Sequence, residues 1–327
     1  MNSKIKWGII GPGNIARKFA SDLLLVEDAE ICAVASRSHE KAEKFANEFN
    51  TEHVFGSYEA LFSSKTVDIV YIATPHNFHK DLSIQAMRHD LAVLCEKPAG
   101  INQGEVQEMI EVAQENRVFF MEGLWSRFNP SIQKVKQLVD EGRIGELGYL
   151  HADFAFYGLD RDADSRVLNP NLASGSLLDI GIYPIFLAYL LMGKPDEILA
   201  TSNFHQNGTE VQTSMIFQYP QSQAVLYSGI SSNSKMEAEI SGSNGTLFLQ
   251  PRWHKASTYI IEKNGAQETV DLPIKGIGFV YEIEHVHDCL RKQLSESPLW
   301  SHQHSLDLVE LMDTIRQKAG IKFPFEA

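Results

Sequence analysis

The chain has 327 residues, 43% of them hydrophobic and 22% charged, with a formal net charge of −13. That length suggests two domains with a core in each, and the composition is that of an ordinary globular protein. The acidic balance argues against nucleic acid or an anionic membrane as a partner, since both reward clustered Lys and Arg, and no apolar run approaches the roughly 20 residues that span a bilayer.

The chain begins with two lysines that run directly into a strand and a glycine turn. Its apolar part is too short for a signal-peptide core, so a cytoplasmic protein is expected. Cys32, Cys95 and Cys289 are far apart, and the first two sit in apolar runs. They read as buried, reduced packing residues.

Residues 5–10 form a short apolar strand that ends in Gly11-Pro12-Gly13-Asn14-Ile15-Ala16, a G-x-G-x-x-A pattern. Ile15, Phe19 and Leu23 then give one apolar helix face. Gly11 permits the tight turn, Gly13 lets a pyrophosphate approach the backbone, and Ala16 lets helix and strand pack closely. The bare pattern also fits a plain strand–helix turn. A strand before, a helix after and a second strand at 30–35 complete a dinucleotide-binding unit.

The end of that second strand selects the dinucleotide. An NAD site places Asp or Glu there for the ribose 2′-hydroxyl, whereas this chain reads Ser36-Arg37-Ser38, with Lys41 four residues past Arg37. A hydroxyl and a guanidinium suit a 2′-phosphate. NADP(H) is therefore expected ahead of NAD, with a solvated basic turn as the other reading.

The alternation continues with a helix at 41–50, a strand at 67–73, a helix at 81–89, a strand at 91–95, a helix at 103–116 and a strand at 118–120. Strand–helix alternation with short links predicts a doubly wound parallel sheet. Ligands bind beyond the carboxyl ends of such strands. Thr74, Asn77 and His79 follow one of those ends, and Glu96 and Lys97 follow another, where Pro98 holds Lys97 extended. With Gly11, Gly13, Asn14, Ile15, Ser36 and Arg37 they make up the candidate cofactor set. On spacing alone His79 reads as structural rather than catalytic, and His76 with His79 makes no convincing metal site.

Trp125 and Arg127 open a stretch of different composition, which places a domain boundary between 122 and 123: a dinucleotide-binding domain at 1–122 and a substrate and oligomerisation domain at 123–327. The second part reads as a helix at 132–141, a strand at 147–157, alternating strands, a helix at 281–290 and a final helix at 306–318. Val211, Thr213, Met215, Phe217 and Tyr219 line one strand face, while residues 224–230 are apolar on both, as for a sheet covered on both sides. A second copy of the chain is the expected cover for one side. Asp179 and Tyr183, four apart, share a helix face, and Pro184 should kink that helix or shift its start. His285 and His287 point apart around their helix and do not chelate one metal, while His302 and His304 read as cap or surface residues before the last helix. Trp125, Arg127, Phe154, Trp253 and Phe279 are candidate pocket walls or core residues.

Taken together, Gly-x-Gly-Asn-Ile-Ala at the start, Ala-Thr-Pro at 73–75, Glu-Lys-Pro at 96–98, Trp-x-Arg-Phe at 125–128 and Leu-Leu-Asp-Ile-Gly-Ile-Tyr at 177–183 resemble the Gfo/Idh/MocA oxidoreductase family. The resemblance implies an α/β protein, with an N-terminal Rossmann domain and a C-terminal α/β domain whose open, mostly antiparallel sheet supports oligomers. It also implies a nicotinamide cofactor and a sugar, polyol or cyclic diol substrate. Many relatives carry His where this chain has Tyr183. Tyrosine there resembles the branch of dimeric trans-dihydrodiol dehydrogenases, NADP-dependent D-xylose dehydrogenases and glucose–fructose oxidoreductases, in which the Glu-Lys-Pro lysine and this tyrosine are the catalytic pair. Carried over, Tyr183 handles the proton, Lys97 tunes it, and Asp179 holds a substrate hydroxyl or pairs with Lys97, with no metal required. A non-catalytic NADP(H) sensor on the same fold is the alternative; redox-neutral chemistry with a tightly held cofactor is disfavoured by Tyr183.

Overall fold

The computed structural model describes residues 3–326. Its chain separates into two compact units, Met1–Phe128 with Lys275–Leu306, and Asn129–Ile274 with Asp307–Ala327.

The first unit alternates as expected: β1 (Ile5–Ile10), α1 (Asn14–Leu23), β2 (Ala29–Ala35), α2 (His39–Phe49), β3 (His53–Phe55), α3 (Tyr58–Phe62), β4 (Ile69–Ile72), α4 (His79–Arg88), β5 (Ala92–Glu96), α5 (Gln103–Asn116) and β6 (Phe120–Gly123). Every strand pair is parallel, in the order β3-β2-β1-β4-β5-β6. This is the doubly wound Rossmann order, which reverses between β1 and β4. Because helices cover both faces, β4 and β5 are buried at every residue. The last strand lies two residues further on than the apolar run 118–120 suggests, and Glu122 is paired within it. The three cysteines are buried free thiols, and burial pushes the Cys32 thiol up to about 12.

The second unit has α6 (Pro130–Asp140), β7 (Leu147–Ala155), α7 (Ile182–Met192), β8 (Glu197–Phe204), β9 (Glu210–Gln218), β10 (Gln223–Gly229), β11 (Ala238–Gly242), β12 (Gly245–Leu249), β13 (Thr258–Lys263) and β14 (Ala266–Asp271). The eight strands form one sheet, β14-β13-β12-β11-β7-β10-β9-β8, in which only β7 and β10 run parallel. Val211, Thr213, Met215 and Phe217 are buried on one face of β9, as their period of two requires. On the opposite face Leu199, Ile216 and Val225 are apolar and in register on β8, β9 and β10, and the same row continues through the polar His151 and Glu239 to Phe248 and Ile260. Leu199 is 46% exposed and the others half-buried.

Two helices remain, α8 (Val280–Arg291) and α9 (His302–Ala319). Their placement corrects the expected division at 122/123, because residues 275–306 belong with the first unit. The reason is local chemistry. The buried carboxylate of Asp22, on α1, accepts from the backbone N–H groups of Ile277, Gly278 and Phe279 at 2.8–3.0 Å. Trp7 Nε1 donates to His287 Nε2, and His302 Nε2 meets Phe120 O at 3.1 Å. His302 therefore begins α9 and is buried, rather than preceding the helix as a surface residue.

The helical stretch Pro170–Met192 is long and apolar enough to cross a membrane, contrary to the expectation that no such run exists. Its most apolar window is 83% buried inside the fold, as befits a core helix.

Candidate active site

The first unit builds a nucleotide cradle at the end of β1. Gly11 has φ +82°, and a Cβ there would meet Thr74 Cγ2 at 2.9 Å, so only glycine fits the turn. At Gly13 a Cβ would meet nothing within 4 Å, which leaves open space over the start of α1. Ser38, Ser57, Asn102 and Asn129 cap the following α2, α3, α5 and α6 with side-chain oxygens, but α1 has no side-chain cap and no acidic residue in its first turn. Its backbone N–H groups are thus left for an anion from outside the chain. Nearby, Thr74 Oγ1 is buried without a hydrogen-bond partner among the described residues. An open cradle, an uncapped helix start and an orphaned hydroxyl fit a dinucleotide. Asn14 and Ile15 begin that helix.

At the end of β2, Ser36 is buried and accepts from Ser38 N at 3.2 Å. Arg37 is exposed, with its guanidinium 5.1 Å from the centre of the Phe78 ring. No carboxylate stands at residues 36–38. Ser38 Oγ is taken by the α2 cap.

His76, Asn77 and Phe78 form a short 3-10 turn that leads into α4. His79 is fully buried. Its Nδ1 lies 2.7 Å from Pro98 O and its Nε2 2.8 Å from Thr74 O, so each ring nitrogen faces a backbone carbonyl and the one carrying the proton donates to it. This tethers the segment after β5 to the end of β4. Burial pushes its pKa down, against the pull of the two carbonyls.

Glu96 and Lys97 follow at the end of β5, and the Lys97–Pro98 peptide is cis. Glu96 is buried, accepts from the Tyr71 hydroxyl, and also from Lys97 N at 3.3 Å. Lys97 is half-buried. Glu122, beside them on β6, accepts from Ala99 N at 2.9 Å, Trp300 Nε1 at 3.1 Å and Ser305 Oγ at 2.8 Å. Burial raises its pKa, while these donors and the Lys97 charge oppose the rise. Trp125 is buried and stacked on Phe279, with ring centres 4.8 Å apart, and Arg127 Nε donates to Leu299 O at 3.0 Å.

In the second unit, Asp179 and Tyr183 sit where a wide turn meets a helix. Residues Leu177–Gly181 form a π-helical turn that runs directly into α7. Pro184 lies in the first turn of α7, where its missing N–H costs little. Gly181 is held against β10, since a Cβ there would meet Ser228 Oγ at 2.9 Å. The turn is fastened from below by Glu210, whose buried carboxylate accepts from Ser176 Oγ at 2.6 Å, Leu177 N at 2.8 Å and Thr213 Oγ1 at 2.7 Å. Asp179 is buried but not alone, because Arg166 Nη1 reaches it at 3.0 Å. Tyr183 is 6% exposed. Its ring centre lies 5.4 Å from Phe154 and 5.3 Å from His254, and those two rings stack at 4.4 Å. Trp253 is core, fully buried with its Nε1 on Asp153 O at 2.9 Å.

Each unit therefore gathers part of the expected set. Gly11, Gly13, Asn14, Ile15, Ser36, Arg37, Thr74, Asn77, Glu96 and Lys97 cluster at the carboxyl ends of one parallel sheet; Asp179, Tyr183 and Phe154 share one corner of the other unit. Sequence reasoning missed Arg166, which lies in an aperiodic loop, and His254, overshadowed by its neighbour Trp253. Histidine and tyrosine separated by many residues give no spacing signal.

The comparisons with known proteins agree with this geometry. Residues 5–124 match the model of the oxidoreductase family with an NAD-binding Rossmann fold, and residues 132–248 match the GFO/IDH/MocA C-terminal domain. The chain belongs to the Gfo/Idh/MocA oxidoreductase family, as an NAD(P)-dependent dehydrogenase or reductase. Trans-1,2-dihydrobenzene-1,2-diol dehydrogenase from Mus musculus is 36% identical over 98% of both chains, and the same-named protein from Homo sapiens 31% over 98% of both. Among solved structures, the 3-ketoreductase KijD10 from Actinomadura kijaniata, in complex with NADP and TDP-benzene, is 28% identical, with a TM-score of 0.86 over 97% of this chain and 98% of that one. Aldose-aldose oxidoreductase from Caulobacter crescentus shares the fold at 23% identity, with a TM-score of 0.88 over 97% and 98%.

Proposed function

We propose that this protein is an NADP(H)-dependent oxidoreductase acting on the CH–OH or C=O group of a cyclic diol, sugar or polyol. The observation that carries this reading is the match, along 98% of the chain, to trans-dihydrodiol dehydrogenases, with Lys97 at the end of β5 and Tyr183 at the start of α7.

The nucleotide would be held by the open cradle at Gly11 and Gly13, the uncapped start of α1 and Thr74, with its 2′-phosphate on Ser36 and Arg37. Bound there, the nicotinamide ring supplies or accepts a hydride. Arg37 supports the choice of NADP because a guanidinium pairs with phosphate through two hydrogen bonds, while no carboxylate is present for a free 2′-hydroxyl.

Tyr183 acts as general acid and base. In alcohol oxidation its phenolate takes the proton of the substrate hydroxyl; in carbonyl reduction its phenol returns one to the oxygen. A free phenol, with a pKa near ~10, is a poor base at neutral pH. The Lys97 ammonium favours the phenolate. Asp179, fixed by Arg166, orients a second hydroxyl, which is the feature that diols and sugars share. Phe154 and His254 offer flat faces for a ring-shaped substrate.

The test is absorbance at the nicotinamide band with NADP+ or NADPH, across cyclic diols, pentoses, hexoses, keto-sugars and inositols. Turnover of a diol, sugar or polyol is expected. Tight NADPH binding without turnover of any of them overturns the enzyme reading in favour of a sensor.

We also propose a homodimer formed through the outer row of the eight-stranded sheet. Its Leu199, Ile216 and Val225 are apolar and in register over β8, β9 and β10, a surface a second copy could cover.

A further inference from the structure

The turn that carries Asp179 and Tyr183 is held by a carboxyl group to which the proposed chemistry gives no part. Glu210, the first residue of β9, is 2% exposed. Its Oε1 accepts from Ser176 Oγ at 2.6 Å and from Thr213 Oγ1 at 2.7 Å, and its Oε2 accepts from Leu177 N at 2.8 Å. All three partners donate, as a carboxylate requires. Burial raises its pKa, and the donors oppose the rise.

The carboxylate also orders the hydroxyls around it. Because Ser176 Oγ gives its proton to Glu210, Ser228 Oγ, 2.9 Å away, is the donor between the two serines. In the same way Ser202 Oγ donates to Thr213 Oγ1 across 2.7 Å. Thr213 and Ser228 face each other in register on β9 and β10, so one acid fastens the π turn to two neighbouring strands. Two glycines let it sit that close. A Cβ at Gly175, whose φ is +126°, would meet Glu210 O and Oε2 at 3.0 Å, and one at Gly181 would meet Ser228 Oγ at 2.9 Å.

The turn needs such a hold. A π turn is rare and takes up one residue more than an α turn. Were Leu177–Gly181 to tighten to α geometry, the residues on its two sides would be offset by about one position, a rotation of roughly 100° about the axis. Tyr183 would then leave its contacts with Phe154 and His254, whose ring centres lie 5.4 and 5.3 Å away.

We propose that Glu210 is a positioning residue: by holding the π turn against β9 and β10, it sets where the Tyr183 hydroxyl stands relative to the bound substrate. It acts through Ser176 and Leu177 rather than on the substrate itself. The inference rests on the reading of Tyr183 as the acid and base of the reaction.

Kinetics and a spectroscopic probe test it on the full-length protein. With the diol, sugar or polyol turned over fastest in the absorbance screen, Glu210→Ala should lower kcat about 100-fold, the cost of a misplacement of roughly 1 Å. NADPH affinity should not change, and kcat is counted per NADPH-binding site so that unfolded molecules do not enter it. A merely structural role would reduce the yield and the Tm but leave that kcat intact, which overturns the proposal. Glu210→Gln should recover most of the loss, because its amide oxygen still accepts from Leu177 N while the two hydroxyls turn to accept from its NH2. A Gln variant no better than the Ala variant overturns the hydrogen-bonded hold.

Should Glu210→Ala fail to fold, Gly181→Ala tests the same seat from its other end. Its kcat should fall by about tenfold and recover when Ser228→Gly makes room; a kcat that does not fall, or does not recover, overturns the proposal. Failure of the underlying reading shows itself separately, as near-normal turnover in Tyr183→Phe. The fluorine NMR resonance of fluorotyrosine incorporated at Tyr183 should shift in Glu210→Ala whether or not that ring carries the proton, and an unmoved resonance overturns the positioning role.

Discussion

Trp7 Nε1 donates a hydrogen bond to His287 Nε2 at 3.0 Å, tying β1 to α8 across 280 positions of sequence. Accepting at Nε2 leaves the imidazole proton on Nδ1, which faces Asp28 Oδ1 at 3.0 Å. The ring is buried and its pKa is pushed down to about 4, chiefly by that burial. The unfolded chain takes up this proton near pH ~6.5, the folded chain only near 4, so the unfolded state binds more protons between those values. Stability is therefore complete above that window and falls as pH drops through it. Thermal melts between pH 7 and pH 4 should show the loss, and His287→Gln, which can still accept from Trp7, should flatten that part of the slope.

Arg37→Ala should weaken NADPH binding by roughly ten- to a hundredfold, the worth of a charge-assisted pair, and NADH by far less. Fluorescence titration of both nucleotides measures the ratio. An equal loss for the two would remove the argument for NADP.

Tyr183→Phe keeps the ring that packs against Phe154 and His254 and removes only the hydroxyl. Its kcat should fall by about 10²–10⁴, the usual contribution of a positioned acid or base, with little change in NADP(H) affinity. Stopped-flow turnover set beside cofactor titration separates the two effects, and near-normal turnover would sink the assignment.

Leu199 and Val225 lie in one outward row of the sheet, joined through Ile216. Leu199→Glu combined with Val225→Lys should leave the inner core untouched and place charges in that row. Light scattering at micromolar concentration should then give a monomer mass for the variant and a dimer mass for the parent. A monomer mass for both excludes this interface.

Much of the first unit was legible because a parallel strand buried on both faces writes itself as a short apolar run. The Gly11–Ala16 pattern, the missing acid at 36–38 and Lys97 at a strand end were readable for the same reason: each is a local requirement of backbone geometry or charge. What escaped was non-local. The return of residues 275–306 to the first unit depends on Asp22 receiving three backbone N–H groups from a loop more than 250 positions away. Pro184 signalled a disturbance of the helix, but only the structure shows it resolved as a π turn before α7. Arg166 pairs with Asp179 from a loop without periodicity.

The discontinuity of the first unit bears on how the molecule is made. Its sheet is complete by Gly123, yet Trp7, Asp22 and Glu122 meet their partners only at His287, at residues 277–279 and at Trp300 and Ser305. During synthesis Trp7, Asp22 and Glu122 therefore stay without these partners until residues 277–305 have been made. A gene cut after Phe128 would encode every residue of the glycine turn and still not encode a finished domain.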